Sequence, residues 1–184
     1  MRVALRPLAR YAALGAHGKR MLFSWQVSPT LSSNAIMVFA FDDDYSMGIL
    51  LSRAHEAWAW AQSSTLETRL RYTPTTVFAT FPWPTDPSEQ THAAIGSASR
   101  DLYQLRSALC EEHKLGLTVL YNLMDDGGFK DLAAAHRRLD EAVAGSYGWP
   151  KNIAQSPEPL IAGLTKLNKE ITVGTREYRP FTHD

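Results

Sequence analysis

The chain is poor in cysteine and has no long apolar run. Its single cysteine, Cys110, excludes an intramolecular disulfide and zinc sites built from several cysteines. No apolar run approaches the roughly 20 residues that a membrane-spanning helix needs. Arg6, Pro7 and Arg10 interrupt the N-terminal apolar segment, so a signal peptide is not predicted. We therefore expect a protein of the reducing cytoplasm with no membrane partner.

The chain also lacks a net charge, with 19 basic and 19 acidic residues. This balance argues against an indiscriminate nucleic-acid binder. Residues 1–85 nevertheless carry eight Lys and Arg against five Asp and Glu, whereas the remaining residues carry eleven against fourteen. The first half is therefore the better candidate for binding a polyanion.

The first half alternates between strand and helix patterns. Apolar and polar residues alternate over residues 21–27, which predicts a half-buried strand. The continuous apolar run of residues 35–41 predicts a strand that is buried on both faces. Ser46 is predicted to cap a helix that runs to about Gln62, and residues 67–81 are predicted to be extended.

The second half has a helical pattern throughout. Three prolines within residues 81–87 mark the change, and Asp86 is predicted to cap the helix that follows. One further amphipathic helix contains Leu132 and Val143, and another opens at Ser156. The expected fold class is α+β, with a small mixed strand and helix domain followed by an α-helical one.

Three stretches carry a resemblance to a known family. They are residues 39–46 with the following Gly48-Ile-Leu, residues 71–84 (RYTPTTVFATFPWP), and residues 136–150, which include HRRLDEAV and YGWP. In this order they resemble the C-terminal region of type IIL (MmeI-like) restriction–modification enzymes and related adenine-specific DNA methyltransferases. The resemblance extends over about residues 10–181. In that family one long polypeptide carries nuclease, methyltransferase, target-recognition and C-terminal helical parts.

The resemblance implies a role for each half. Residues 1–85 would be the later portion of a target-recognition domain, and residues 86–184 the helical domain that helps to clasp DNA. The expected partners are double-stranded DNA and methyltransferase and nuclease domains in cis or in trans. The expected function is sequence-specific DNA recognition for an adenine-N6 methyltransferase.

The family's catalytic parts are expected elsewhere. This sequence has no Asn-Pro-Pro-Tyr/Phe tetrapeptide to hold a flipped adenine and no glycine-rich turn for S-adenosylmethionine. We therefore predict no methyl transfer by this chain alone, with S-adenosylmethionine and Mg²⁺ bound only in an intact enzyme. Two alternatives stay open: a stand-alone specificity subunit that recruits a separate methyltransferase, and a truncated remnant without function.

The predicted base-reading residues are Glu67, Arg69, Arg71 and Ala35. The first three are spaced by two, so an extended backbone would project them to one side. Arginine can donate two hydrogen bonds to guanine, and a carboxylate can accept one from cytosine. Spacing by itself favours a solvated strand face with a weak Glu–Arg ion pair. The resemblance reverses that preference, because the family's base-reading positions fall in this stretch, and it adds Ala35 as a small neighbour of Arg71.

Phosphate contacts are predicted for a second set of residues in the first half. They are cations or neutral donors that could bind the DNA backbone without reading its sequence. The set comprises Lys19, Arg20, Arg53, His55, Tyr72, Thr73 and Thr75.

Other polar groups are given structural interpretations. Consecutive carboxylates at Asp42–Asp44 could bind Mg²⁺, but neighbouring residues on a strand point in opposite directions, which favours helix capping. His136 and Asp140 are four residues apart and are predicted to pair on a helix face. No metal site is predicted.

Overall fold

Two small antiparallel sheets and seven α-helices make up the part of the chain that the structure describes. The structure is a computed structural model that describes residues 2–28, 35–63, 65–66 and 69–181. The α+β fold class is confirmed. The strands are β1 (Arg10–Gly15), β2 (His17–Gly18), β3 (Ser24–Val27), β4 (Ile36–Phe39), β5 (Thr65–Leu66) and β6 (Arg69–Arg71). The helices are α1 (Arg2–Leu5), α2 (Asp44–Leu51), α3 (Arg53–Gln62), α4 (Glu89–His113), α5 (Leu117–Asp125), α6 (Lys130–Ser146) and α7 (Pro157–Thr172).

The first sheet has the order β3-β1-β4, so its central strand is one that the sequence pattern did not predict. Residues 11–14 of β1 are all buried because the main core covers one face and α1 with Leu8 covers the other. The two predicted strands are shorter than expected and lie at the edges. The expectation that residues 35–41 form a strand buried on both faces is wrong, since Ile36 is exposed and an edge strand has only one paired side.

The helix predicted from Ser46 to Gln62 is divided in two by Ser52. The backbone of Ser52 is extended, with φ −75° and ψ 155°. Its hydroxyl donates to the carbonyl of Ile49 (2.7 Å) and accepts from the N–H of His55 (3.4 Å). One serine therefore ends α2 and begins α3. The predicted end of the second helix is confirmed, because Ser63 follows Gln62 as the C-cap.

Asp43, and not Ser46, caps the first of these helices. The Asp43 carboxylate accepts a hydrogen bond from the N–H of Ser46 (2.7 Å), which confirms the capping interpretation of the aspartates. Asp44 forms ion pairs with Arg10 (2.8 Å) and Arg100 (3.0 Å) and so connects the sheet to α4.

The prediction that residues 67–81 are extended is wrong from Pro74 onward. Pro74–Phe78 form a π-helical turn, with Val77 fully buried. Pro74 begins this turn, where its missing N–H costs nothing. Residues 81–84, which follow, are buried, and Phe81 and Trp83 belong to the main core.

The helical prediction for the second half is confirmed in its main features. Helix α4 begins at Glu89 with Ser88 as its N-cap, because Asp86 takes a left-handed φ of 48° and cannot start the helix. Helices α6 and α7 match the predicted apolar periods, whereas α5 was not predicted. In the described residues, no helix has both the length and the hydropathy needed to cross a membrane.

Both halves contribute to one hydrophobic core. Polar side chains of the second half also hydrogen-bond to buried or partly buried backbone groups of the first. These pairs are Arg106 with the Phe23 carbonyl, Tyr103 with the Trp25 N–H, Asp140 with the Arg53 N–H, Asn168 with the Thr80 carbonyl, Tyr147 with the Pro82 carbonyl, and Tyr178 with the Phe81 carbonyl. The helices therefore complete the hydrogen bonding of the first half.

Glycine allows the close packing of α2 against α4. A Cβ at Gly48 would lie 2.8 Å from Cγ2 of Ile95 and 3.3 Å from its carbonyl oxygen. We expect Gly48→Ala to lower the free energy of unfolding by about 1–3 kcal/mol, because the helices would have to separate. Gly145→Ala is the matched control, since a Cβ there meets nothing within 4 Å, and it should be neutral or stabilising by up to about 1 kcal/mol. Urea denaturation measures both, and equal effects of the two substitutions would contradict this packing.

Candidate nucleic-acid interface

An exposed antiparallel ribbon of β2 and β6 carries Arg71. His17 pairs with Arg71 and Gly18 with Leu70 across the two strands. Leu70 (3% exposed) and Tyr72 (1% exposed) point into the core, while Arg71 between them is exposed. This alternation anchors one face of the ribbon in the core and leaves the other face accessible. Arg71 is therefore accessible, and its role in base reading stays a prediction.

Ala16 joins the ribbon to the first sheet. Its N–H donates to the carbonyl of Ala35 (2.8 Å), and its carbonyl accepts from the N–H of Tyr72 (3.2 Å). Ala16 therefore links Ala35, which lies just before β4, to Tyr72, which directly follows Arg71 and the end of β6. Two of the predicted base-reading residues, Ala35 and Arg71, thus lie within one residue of the hydrogen bonds of Ala16, and their role in base reading stays a prediction.

The other two predicted base-reading residues are not tested. Glu67 lies outside the described residues. Only the backbone of Arg69 is described, and this residue of β6 pairs with Leu66 of β5. Their role in base reading stays a prediction.

Two of the predicted phosphate-binding residues are buried, so the prediction for them is wrong. His55 (0% exposed) binds the Leu50 carbonyl through Nδ1 (3.1 Å) and the Tyr72 hydroxyl through Nε2 (3.1 Å). Burial lowers the pKa of His55 to about 4, so the ring is neutral at physiological pH. His55 and Tyr72 instead form an internal link between α3 and the end of β6.

Three other members of that set remain accessible near the ribbon. Lys19 and Thr75 are exposed, and the Thr73 side chain is half-buried. The Thr73 hydroxyl donates to the carbonyl of Arg71 (3.4 Å). Thr73 follows the end of β6, whereas Lys19 follows β2 and so lies towards the opposite end of the antiparallel ribbon.

Known proteins resemble this chain in both sequence and structure. Residues 23–85 match the family model described as the MmeI target recognition domain. DNA methyltransferase A of Bacillus subtilis (strain 168) is 33% identical over 143 residues, which cover 78% of this chain and 15% of that protein. A solved structure of the type IIL restriction–modification enzyme MmeI in complex with DNA matches 90% of this chain and 22% of its own chain, with a TM-score of 0.75 and 26% identity.

Residues 23–85 form an MmeI-type target recognition domain. The chain spans 15% of the length of the methyltransferase and 22% of that of the solved MmeI chain. The matched region of the target recognition domain contains β6 and Arg71, but it begins after β2.

A cleft of about 350 Å³ separates the target recognition domain from helices α5 and α6 and holds two further predicted phosphate contacts, Arg20 and Arg53. Arg20 forms an ion pair with Asp125, and the Arg53 guanidinium donates to the carbonyl of Ala154 (3.2 Å). Both side chains already have protein partners in the helical half. Phosphate binding by these two arginines stays a prediction.

The predicted pair of His136 and Asp140 is not formed in the cleft. His136 shares a hydrogen bond with the Tyr121 hydroxyl (2.9 Å), whereas Asp140 accepts from the N–H of Arg53 (2.8 Å). Burial, together with nearby arginines, lowers the pKa of His136 to about 4. Burial raises the pKa of Asp140 to about 7, and the charge of Glu56 adds to this effect. No three His, Cys, Asp or Glu side chains are grouped as metal ligands within the described ranges.

Removing the internal hydroxyl of Tyr72 should destabilise the target recognition domain. Tyr72→Phe leaves Nε2 of His55 without its partner in a buried site, which we expect to cost about 1–3 kcal/mol of unfolding free energy. Thr75→Ala is the control and should change it by less than about 0.5 kcal/mol, because Thr75 is exposed. Denaturation of both variants measures the difference. An unchanged stability of Tyr72→Phe would rule out the buried link.

Asp140 should make the protein less stable as pH rises. Its pKa is raised from 3.8 to about 7, so the folded protein holds a proton that the unfolded chain releases between these values. We expect Asp140→Asn to keep the bond to the Arg53 N–H and to be more stable than the wild type at pH 8, by about 2 kcal/mol. At pH 5 the advantage should be much smaller.

The control for this prediction is Asp126→Asn, which alters an exposed aspartate on the loop after α5. Its stability difference from the wild type should be the same at both pH values. Urea denaturation at pH 5 and pH 8 supplies all four comparisons. An Asp140→Asn difference that does not depend on pH would contradict a protonated, buried Asp140.

Proposed function

We propose that this chain recognises a specific sequence in double-stranded DNA, with the exposed face of the β2–β6 ribbon inserted in the major groove. The observation that carries the proposal is the alternation in β6. Leu70 and Tyr72 hold the strand in the core, and Arg71 between them is free to reach a base edge. The family match of residues 23–85 and the likeness to the DNA-bound MmeI structure support it.

Two kinds of contact are proposed around the ribbon. Arg71 donates to guanine, with Glu67 and Arg69 as further readers and Ala35 leaving space beside Arg71. Lys19, Thr73 and Thr75 bind phosphates and position the ribbon without reading sequence. The proposed set omits His55 and Tyr72, because both are buried.

The proposed recognition serves a catalytic centre formed by other residues, in cis or in trans. Methyl transfer to adenine N6 and the binding of S-adenosylmethionine and Mg²⁺ are assigned to that centre, because the motifs for them are absent from this sequence. This chain would select the site, and the methyltransferase would modify it.

Arg71→Ala should reduce sequence discrimination more than overall affinity. Selection of bound duplexes from a randomised pool gives the preferred sequence of the wild type. We expect the variant to lose about tenfold or more discrimination at one base pair, since a bidentate arginine contact is lost. Arg179→Ala is the matched control, because it removes the same charge from the exposed C-terminal segment. The affinity of the wild type should also fall as salt rises, because counterions are released on binding.

Three results would contradict the proposal. They are a wild-type protein that binds no duplex, an affinity that does not depend on salt, and a sequence preference that Arg71→Ala leaves intact. Incorporation of labelled methyl groups by this chain alone would refute the assignment of catalysis to other residues.

A further inference from the structure

His17 occupies the position directly opposite Arg71 on the exposed ribbon. Directly opposite residues of an antiparallel pair project from the same face, with Cβ atoms about 5 Å apart. His17 is exposed, as Arg71 is. The sequence around His17 does not indicate that it lies opposite Arg71, because only strand pairing brings the two residues together.

The backbone on either side holds His17 in a defined place. Ala16 is buried, and both its N–H and its carbonyl are hydrogen-bonded, to Ala35 and Tyr72 respectively. Gly18 pairs with buried Leu70, and a Cβ at Gly18 would lie 3.0 Å from the carbonyl oxygen of Arg20. The side chain at position 17 therefore projects from a rigid strand and not from a flexible loop.

The His17 ring is available for an external partner. No hydrogen bond or ion pair occupies it within the described ranges of the chain. Imidazole donates a hydrogen bond from at least one nitrogen in either protonation state. In the major groove, guanine presents O6 and N7 and adenine presents N7 as acceptors. A purine edge is therefore a suitable partner for His17.

We propose that His17 is a further specificity-determining residue, which donates a hydrogen bond to a purine at the base pair read by Arg71 or at its neighbour. The distance supports this assignment, because successive bases are 3.4 Å apart along a strand and the two side chains start about 5 Å apart. The inference rests on the proposed insertion of the ribbon in the major groove. It adds a reader from a strand that precedes the matched family region.

The test compares the sequence preferences of the wild-type chain and of three variants: His17→Thr, His17→Asn and Arg71→Ala. Threonine keeps a strand-forming residue but is too short to reach the same acceptor, and asparagine keeps hydrogen-bonding groups in a different geometry. Each protein selects duplexes from the same randomised pool, and thermal unfolding checks that each is folded. His113→Thr, at the far end of α4, controls for loss of an exposed histidine.

We expect His17→Thr to lose about tenfold discrimination at one base pair, at or next to the pair affected by Arg71→Ala, and to keep the preferences elsewhere. His17→Asn should shift the preference at that same pair, towards adenine. A uniform loss of affinity with unchanged preferences would overturn the inference, since His17 would then contact only phosphate. Unchanged binding by both folded His17 variants would overturn it as well. If the wild type shows no preference at all, the proposed function itself fails, whatever the His17 variants do.

Discussion

Hydrogen bonds from side chains of the second half to the backbone of the target recognition domain support the rest of the structure. The segment after the π-helical turn is the clearest case, since Tyr147, Asn168 and Tyr178 bind successive carbonyls between Thr80 and Pro82. A buried carbonyl without a partner costs about 1–3 kcal/mol, so these bonds stabilise the packing of this connection. The two halves differ in pattern, yet their folding is coupled because one supplies the polar partners of the other.

This coupling explains how a small sheet can present a rigid surface. Sheets of two or three very short strands are marginal when isolated. Here the link between His55 and Tyr72 attaches the end of β6 to α3, and Asp140 binds the start of α3 from helix α6. The position of Arg71 is therefore set by packing that extends into the helical half. Such preorganisation is what a base-reading side chain requires.

The accuracy of the sequence predictions varied with how local the causes were. The apolar periods of α6 and α7 and the fold class followed from residues that are close in the sequence. The central position of β1 did not, because it depends on pairing with strands up to 27 residues away. The break at Ser52 was missed although its hydrogen bonds to Ile49 and His55 are local, because the apolar period continues across it. Likewise, His55 is a polar residue that the sequence alone allows at the surface, and only the fold shows that it lies in the core.

For the candidate interface, the sequence alone determined the chemistry, and the tertiary structure decided the geometry. The Glu-Thr-Arg-Leu-Arg segment and its family resemblance pointed to a strand that reads DNA, and the alternation of Leu70, Arg71 and Tyr72 is local enough to be read directly. The meeting of Ala35, His17 and Arg71 around Ala16 was decided only in the folded chain. Hydrogen bonds between strands join residues that no spacing rule connects, whereas side-chain alternation is a property of the strand itself.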